Sequence, residues 1–238
     1  MKDNSFTSLR ETFMKNRTAI NAIQGDLFSG FDSVIDESMK SLEKEVLSMS
    51  DADVIFYRNF FNQQESDELF QTLFNEIKWR QDKMKIYGKE VNLPRKTAWY
   101  GDRDKSYTFS GIHLDPEPWT PTLLQVKEKV EEIAKVRFNS VLLNLYRDGN
   151  DGISWHSDAE PELGNNPVIG SVSFGGIRRF MFRHKHNKDL KTEIELTHGS
   201  FLFMAGATQH FWQHQIPKTS KKVQPRINLT FRVIGHSR

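Results

Sequence analysis

The stretch FNSVLLNLY, residues 138–146, is where this chain changes its hydrophobic period from helical to two. Downstream, VIGSVSF (168–174), RFMFRH (179–184), TEIEL (192–196), SFLFM (200–204) and RINLTFRVI (226–234) all read as strands. Gly, Asn and Asp clusters separate them. Upstream, the apolar spacing is that of helices. One helix is expected over 33–48, carrying Ile35, Met39, Leu42 and Val46. A second opens at Asn62, where Glu65 completes a capping box. Its stripe is Leu69, Leu73 and Ile77, with Phe70 and Phe74 beside it. A third opens at Thr120-Pro121, a cap followed by proline at the first helical position, and buries Leu123, Val126, Val130 and Ile133. Helices first and many short strands afterwards predict an α+β fold with a sandwich or jelly-roll core.

The 238 residues suffice for one domain with an extension. No apolar run has the length of a membrane span, and the N-terminus lacks the apolar stretch of a signal peptide, so the expectation is a cytoplasmic protein. The absence of cysteine excludes disulfides, zinc–thiolate sites and a thiol nucleophile. Charge is unevenly placed. Residues 1–53 hold six Lys and Arg against ten acids, whereas residues 78–105 hold nine against four. The basic segment suits contact with a polyanion, and equally a solvated face. Residues 1–32 are polar without a sustained period and read as a tail.

The segment SWHSDAEP (154–161) carries His156 and Asp158, which share one side of an extended chain. Two histidines and a carboxylate compose the facial triad of non-haem Fe(II) oxygenases; His198, His210 and His214 are the candidates for the third ligand. In RINLTFRV, Arg226, Asn228, Thr230 and Arg232 fall on one face, and Ile227, Leu229, Phe231 and Val233 on the other. The first face would line a pocket or the surface. A guanidinium there can grip a carboxylate at two points, which beside an Fe(II) triad suggests 2-oxoglutarate. Asn144 and Tyr146 share a face and offer neutral donors to the same anion.

Taken together, YGKEVNLPRKTAWYGD (87–102), YTFSG (107–111), NLYRDG (144–149), WHSD (155–158), SVSFGG (171–176), FRHK (182–185), HGSFLFM (198–204), His214 and RINLTFR (226–232) resemble the AlkB family of Fe(II)/2-oxoglutarate dioxygenases. The likeness is strongest to the family's animal DNA-repair branch and its bacterial relatives, and it runs from about Asp53 to Ile234. Residues 1–52, which the resemblance does not cover, are expected to form a tail and a short helix. From 53 to 238 the resemblance implies a double-stranded β-helix domain with helices on one side and nucleotide-recognition hairpins at about 79–115.

The resemblance assigns Fe(II) to His156, Asp158 and His214. It assigns 2-oxoglutarate to Asn144, Tyr146, Arg226, Asn228, Thr230 and Arg232, and O₂ as co-substrate. Substrate contacts would come from Tyr87, Gly88, Lys89, Tyr107, Thr108, Phe109, Ala159, Glu160 and Arg178. The implied chemistry is oxidative removal of the methyl from 1-methyladenine or 3-methylcytosine, with formaldehyde, succinate and CO₂ released. The methyl lies on the Watson–Crick edge, so the base must leave the helix. Ile86-Tyr87-Gly88, between Lys83, Lys85 and Lys89, would be the tip that fills the gap in duplex DNA. RNA and single-stranded DNA are the alternative substrates.

Two positions depart from the family. Ala159 stands where relatives carry an acid, and Arg179 where the animal branch does. A monomer is expected, in the nucleus if the source is eukaryotic. In the tail, QGDLF (Gln24–Phe28) is similar to the pentapeptide with which bacterial repair proteins dock on the sliding clamp; Leu27 and Phe28 would be its apolar anchors.

Overall fold

The computed structural model describes residues 43–86, 88–103, 107–109 and 112–235. Strands β1 (Lys44–Val46) and β2 (Asp53–Tyr57) come first, followed by helix α1 (Gln63–Glu76). Two hairpins follow, β3 (Lys83–Ile86) with β4 (Lys89–Asn92) and β6 (Tyr107–Phe109) with β7 (Ile112–Leu114), on either side of β5 (Lys96–Gly101). After α2 (Pro121–Ala134) come β8 (Ser140–Tyr146), β9 (Ile153–His156), β10 (Ile169–Gly175), β11 (Arg178–His184), β12 (Lys191–Leu196) and β13 (Ser200–Ala205). The short helix α3 (Thr208–Phe211), β14 (Trp212–Ile216) and β15 (Arg226–Arg232) complete the order.

The strands form a seven-stranded sheet, β1-β2-β13-β10-β15-β8-β5, and a four-stranded sheet, β12-β11-β14-β9. All pairings within them are antiparallel. This is the jelly-roll core that the alternating sequence predicts, in the double-stranded β-helix form that the resemblance implies. Val54, Phe56, Ile169, Leu202 and Met204 of the large sheet meet Phe180, Phe182, Ile194, Leu196, Trp212 and Ile216 of the small one. At roughly 1.5–3 kcal/mol for each large apolar side chain, that interlayer contact is the main force clamping the sheets together.

The helices cover the large sheet. The Asn62 side chain accepts from Glu65 N, and Asn62 N donates to Glu65 Oε2, both at 2.9 Å, so α1 starts at the expected capping box. Leu69, Leu73 and Ile77 are buried, while Phe74 stands 41% exposed beside that stripe. Thr120 caps α2 through Leu123 N, and Leu123, Val126 and Val130 are fully buried. The left-handed Lys135 (φ 53°) ends it. A Cβ on Gly170 would stand 3.0 Å from Val130, so β10 and α2 approach where the sheet lacks a side chain.

Two expectations are corrected. Lys44–Val46 is a strand, with Val46 opposite Ile55, and not the end of a helix; the rest of that expected helix lies outside the described residues. The unpaired backbone groups along β2 recruit this segment, and tertiary pairing overrides its helical spacing. β8 begins at Ser140 rather than Phe138, because the Phe138 N–H donates to the Glu131 carboxylate at the end of α2. Among the described residues no helix is long and apolar enough to cross a membrane.

Candidate active site

β9 and β14 are neighbours in the small sheet, and His156 lies in register with His214. Their rings sit edge to face with centroids 4.3 Å apart. Asp158 follows two residues beyond the histidine that ends β9. One ligand atom from each of His156, Asp158 and His214 lies within 4.8 Å of the other two. The alternative third ligands are elsewhere. His198 accepts from Gly175 N at 2.8 Å and faces Asp67 at 3.2 Å, and His210 is exposed on α3.

Each of the three is held in the form a metal requires. His156 Nδ1 is 2.8 Å from the Ser154 carbonyl, which fixes the proton there and leaves Nε2 as the ligand. Burial lowers the pKa of His156, against the raising pull of Asp158. His214 is pushed down to about 3 by burial, with His156 adding to the effect. Burial alone would raise the Asp158 carboxyl, but the Arg232 charge outweighs it and holds the group below the usual carboxylate range. Arg232 Nη2 donates to Asp158 Oδ1 at 2.7 Å, and Asp158 N donates to Gln209 Oε1 at 2.9 Å. Two neutral imidazoles and one ionised carboxylate, oriented from behind, are a donor set that fits Fe(II).

The triad lines one side of a small cavity. Asn144, Tyr146, Ser171, Arg226, Asn228, Thr230 and Arg232 line it together with the three ligands. The polar face of β15 therefore points into a pocket, and all seven of its residues are buried. Arg226 is wholly inaccessible. Its Nη2 donates to Ser173 Oγ at 2.8 Å, while its Nε and Nη1 have no hydrogen-bond partner. Burial pushes this guanidinium down to about 10. A buried cation with orphaned donors is costly unless an anion arrives, and a carboxylate supplies the missing acceptors. The residues present thus fit 2-oxoglutarate. Asn144 Oδ1 accepts from Arg95 Nε at 2.8 Å, which leaves the amide N–H groups for the cavity. Asn228 donates to Ser171 Oγ and the Val172 carbonyl and accepts from Thr230 Oγ1, so it holds its neighbours in place.

Outside the cavity, a cleft of about 590 Å³ opens against His156. Met84, Val91, Arg95, Ser157 and Glu160 are among its walls. Glu160 is half-buried with Oε2 hidden and unpartnered, and Ala159 is exposed. In the β3–β4 hairpin Gly88 has φ 78°, a turn conformation natural to glycine, and Lys89 is exposed. Tyr87 and the side chains of Tyr107, Thr108 and Phe109 lie outside the described residues, as do Gln24–Phe28. Arg178, expected at the substrate, is buried 3% exposed with its guanidinium turned onto backbone carbonyls. Arg179 is outward and pairs with Glu193 at 2.6 Å. The basic segment is partly neutralised, by its own acids in Arg80–Asp82 and Lys83–Glu90 and by Glu117 beyond it through Lys78. Sequence reasoning missed Arg95, Gln209 and Ser173 as supports. Arg95 looked like one more surface cation, and no local pattern marks the other two.

A family profile described as the 2OG-Fe(II) oxygenase superfamily matches residues 53–232. The chain is similar to alpha-ketoglutarate-dependent dioxygenase alkB homolog 3 of Mus musculus, with 42% identity over 190 residues, covering 76% of this chain and 66% of that protein. It is similar to DNA oxidative demethylase ALKBH2 of Homo sapiens, with 40% identity over 188 residues, covering 75% and 72%. For ALKBH2 of Arabidopsis thaliana the identity is 31% over 210 residues, covering 77% and 67%. The match spans just under two thirds of the mouse and cattle alkB homolog 3 chains, at 66% and 64%. The solved structure titled "The structure of OsALKBH1" superposes with a TM-score of 0.56 at 15% identity, covering 80% of this chain and 100% of that one, a likeness of fold.

Proposed function

From the premise that this chain belongs to the 2OG-Fe(II) oxygenase superfamily, and within it to the AlkB family, we propose that it repairs DNA by oxidative demethylation of N-alkylated bases. The observation that carries the reading is one continuous cavity holding both the His156, Asp158, His214 cluster and the buried, half-partnered Arg226. His156, Asp158 and His214 would hold Fe(II), and Arg226, Tyr146 and Asn144 would take 2-oxoglutarate. When bound, the iron and its co-substrate supply oxygen activation, so that an N-methyl is hydroxylated while 2-oxoglutarate becomes succinate and CO₂. The hydroxymethyl group then leaves as formaldehyde.

The protein's own part is to orient and to exclude water. Arg232 and Gln209 fix Asp158, the Ser154 carbonyl fixes the His156 tautomer, and the sheets close the co-substrate end from solvent. The open cleft beside His156 would receive the extruded base, with Glu160 as an acceptor near its edge. The names of the human, mouse and Arabidopsis relatives support DNA as the substrate. Within that reading an apolar wedge from the sequence Ile86-Tyr87-Gly88 would favour duplex over single-stranded DNA or RNA, because only a duplex needs a wedge. The experiment is mass spectrometry of 1-methyladenine and 3-methylcytosine in single- and double-stranded oligonucleotides, incubated with the protein, Fe(II), ascorbate and 2-oxoglutarate. No methyl loss on any strand would leave a nucleic-acid-binding β-sandwich without turnover.

A clamp-docking role for Gln24–Phe28 is a separate proposal, resting on the pentapeptide alone and requiring a bacterial source. A peptide over 20–31 should bind a bacterial sliding clamp at tens of micromolar or tighter, roughly the weak end for short motifs. The Leu27→Ala/Phe28→Ala peptide should not. Activity on chromosomal DNA would place the enzyme in a bacterial cytoplasm or a eukaryotic nucleus.

A further inference from the structure

We propose that Arg178, from behind the cavity, is the cation that joins Arg226 at the Tyr146 end of the co-substrate site, and that the two make the cavity selective for a dianionic 2-oxo acid. The proposal rests on the reading of that cavity as a 2-oxoglutarate site.

Arg178 Nη1 donates to the Asp148 carbonyl at 3.2 Å, and Nη2 to the Asp151 and Pro217 carbonyls at 2.8 and 2.7 Å. Carbonyls orient a guanidinium without cancelling its charge. The acid nearest in the chain's folding is Asp151, and its carboxylate is already engaged. Arg147 Nε reaches Oδ2 at 2.7 Å and Arg147 Nη2 reaches Oδ1 at 2.8 Å. Arg226 is in a similar state, bonded to the Ser173 hydroxyl. Among the described residues neither Arg178 nor Arg226 forms an ion pair with a carboxylate.

The two guanidinium groups converge on one ring. Arg178 comes from β11 of the small sheet and lies 5.7 Å from the Tyr146 centroid. Arg226 comes from β15 of the large sheet and lies 5.1 Å from the same centroid. Tyr146 is 2% exposed, so both charges act through a medium that screens poorly. The proximity registers in the acidity of Arg226, which burial lowers first and the Arg178 charge lowers further.

Arg178 does not line the cavity, so it is a positioning residue that acts through its field. Its anchors are main-chain atoms on both sides of the small sheet's edge, so its charge stays in place whether or not a ligand is bound. Asp151 and Asp148 lie close enough to act on Arg178, but Asp151 is shared with Arg147, and Arg226 has no carboxylate partner among the described residues; that excess of positive charge is a receptor for a molecule carrying two negative charges. A monoanionic 2-oxo acid, chelating through its oxo-carboxylate end, leaves the Tyr146 end without a partner. A unit charge one aromatic ring away, at an effective dielectric of about 20, changes affinity on the order of tenfold.

The test is calorimetric titration of the full chain, loaded with Mn(II) to prevent turnover, against 2-oxoglutarate and against 2-oxobutyrate, which lacks the distal carboxylate. Wild type should strongly prefer 2-oxoglutarate. Arg178→Met should weaken 2-oxoglutarate about tenfold and leave 2-oxobutyrate unchanged, and Arg178→Lys should keep most of the preference. Arg178→Gln, which retains an N–H donor for the carbonyls, is the second neutral variant if Arg178→Met does not fold. Equal weakening of both acids would reduce Arg178 to a scaffold role, and unaltered 2-oxoglutarate binding would remove it from the site; either overturns the proposal. A wild type that binds both acids alike would instead sink the reading of the cavity itself.

Discussion

Replacing Arg226 by methionine should make the metal-free protein more stable while abolishing its response to 2-oxoglutarate. The guanidinium is fully buried, and burial lowers its pKa from the usual guanidinium range by roughly two to three powers of ten in proton affinity, to about 10. At ~1.4 kcal/mol per tenfold in proton affinity, the charged form carries about 3 kcal/mol of destabilisation at neutral pH. Methionine removes that cost. It also forfeits the Ser173 hydrogen bond, about 1 kcal/mol, and leaves a small packing deficit of similar size. The net gain is roughly 1 kcal/mol, a rise of about 2–4 °C in Tm for a domain this large. Wild type should gain about 2.7 kcal/mol from 2-oxoglutarate at one hundred times its Kd, and the variant nothing. Differential scanning fluorimetry without metal reads the first effect, and with Mn(II), with and without 2-oxoglutarate, the second. A variant that melts several degrees below wild type and is still stabilised by 2-oxoglutarate would refute the reasoning, since Arg226 would then be structural and the anion held elsewhere.

His156→Ala should abolish demethylation and the binding of Fe(II), with circular dichroism unchanged, because one of three protein donors is lost; full turnover at saturating Fe(II) would contradict the ligand set. Tyr87→Ala should lower activity on duplex oligonucleotides far more than on single strands, and equal losses would argue against a wedge. Removing Lys89 should reduce the slope of log Kd against log salt by about one for duplex DNA if it meets a phosphate, which anisotropy titrations measure. For Glu131, burial alone would raise the carboxyl, but hydrogen bonds from Lys127, Arg137 and Phe138 N outweigh it and hold the group low. Its folded pKa lies below the unfolded value, so its stabilisation is present above about pH 4.3 and is lost as pH falls through the depressed value. Glu131→Gln should flatten acid unfolding in that range, and an unchanged profile would assign the slope to other carboxylates.

The fold was legible wherever local chemistry and tertiary demand agree. Asn62 and Glu65 cap α1 because both partners sit within one turn, and the alternation of RINLTFR survives because one face meets the core and the other a cavity. It was illegible where a distant partner decides. Lys44–Val46 spaces its residues as a helix would, yet the open edge of β2 makes it a strand. The site divides in the same way. His156 and Asp158 are two residues apart and announce themselves, whereas spacing alone leaves His198, His210 and His214 open; the family resemblance singles out His214, and the small sheet's register pairs it with His156. Arg95 and Arg178 carry no mark of burial in their neighbourhoods: the first sits in a basic segment that suits a polyanion or solvent, and the second is expected at the substrate, yet both are 3% exposed.

The register of His156 opposite His214 has a consequence for how the centre comes into being. The two imidazoles are cross-strand neighbours, so forming the β9–β14 ladder and assembling the metal chelate are a single event. A slip of one residue by either strand would send its own ring to the opposite face of the sheet and part the pair. A metal ion bridging them would act as a rivet through the ladder, opposing slippage more strongly than the hydrogen bonds alone. Amide hydrogen exchange along Ile153–His156 and Trp212–Ile216 should therefore slow on loading by more than it does in β12, at the far edge of the same sheet.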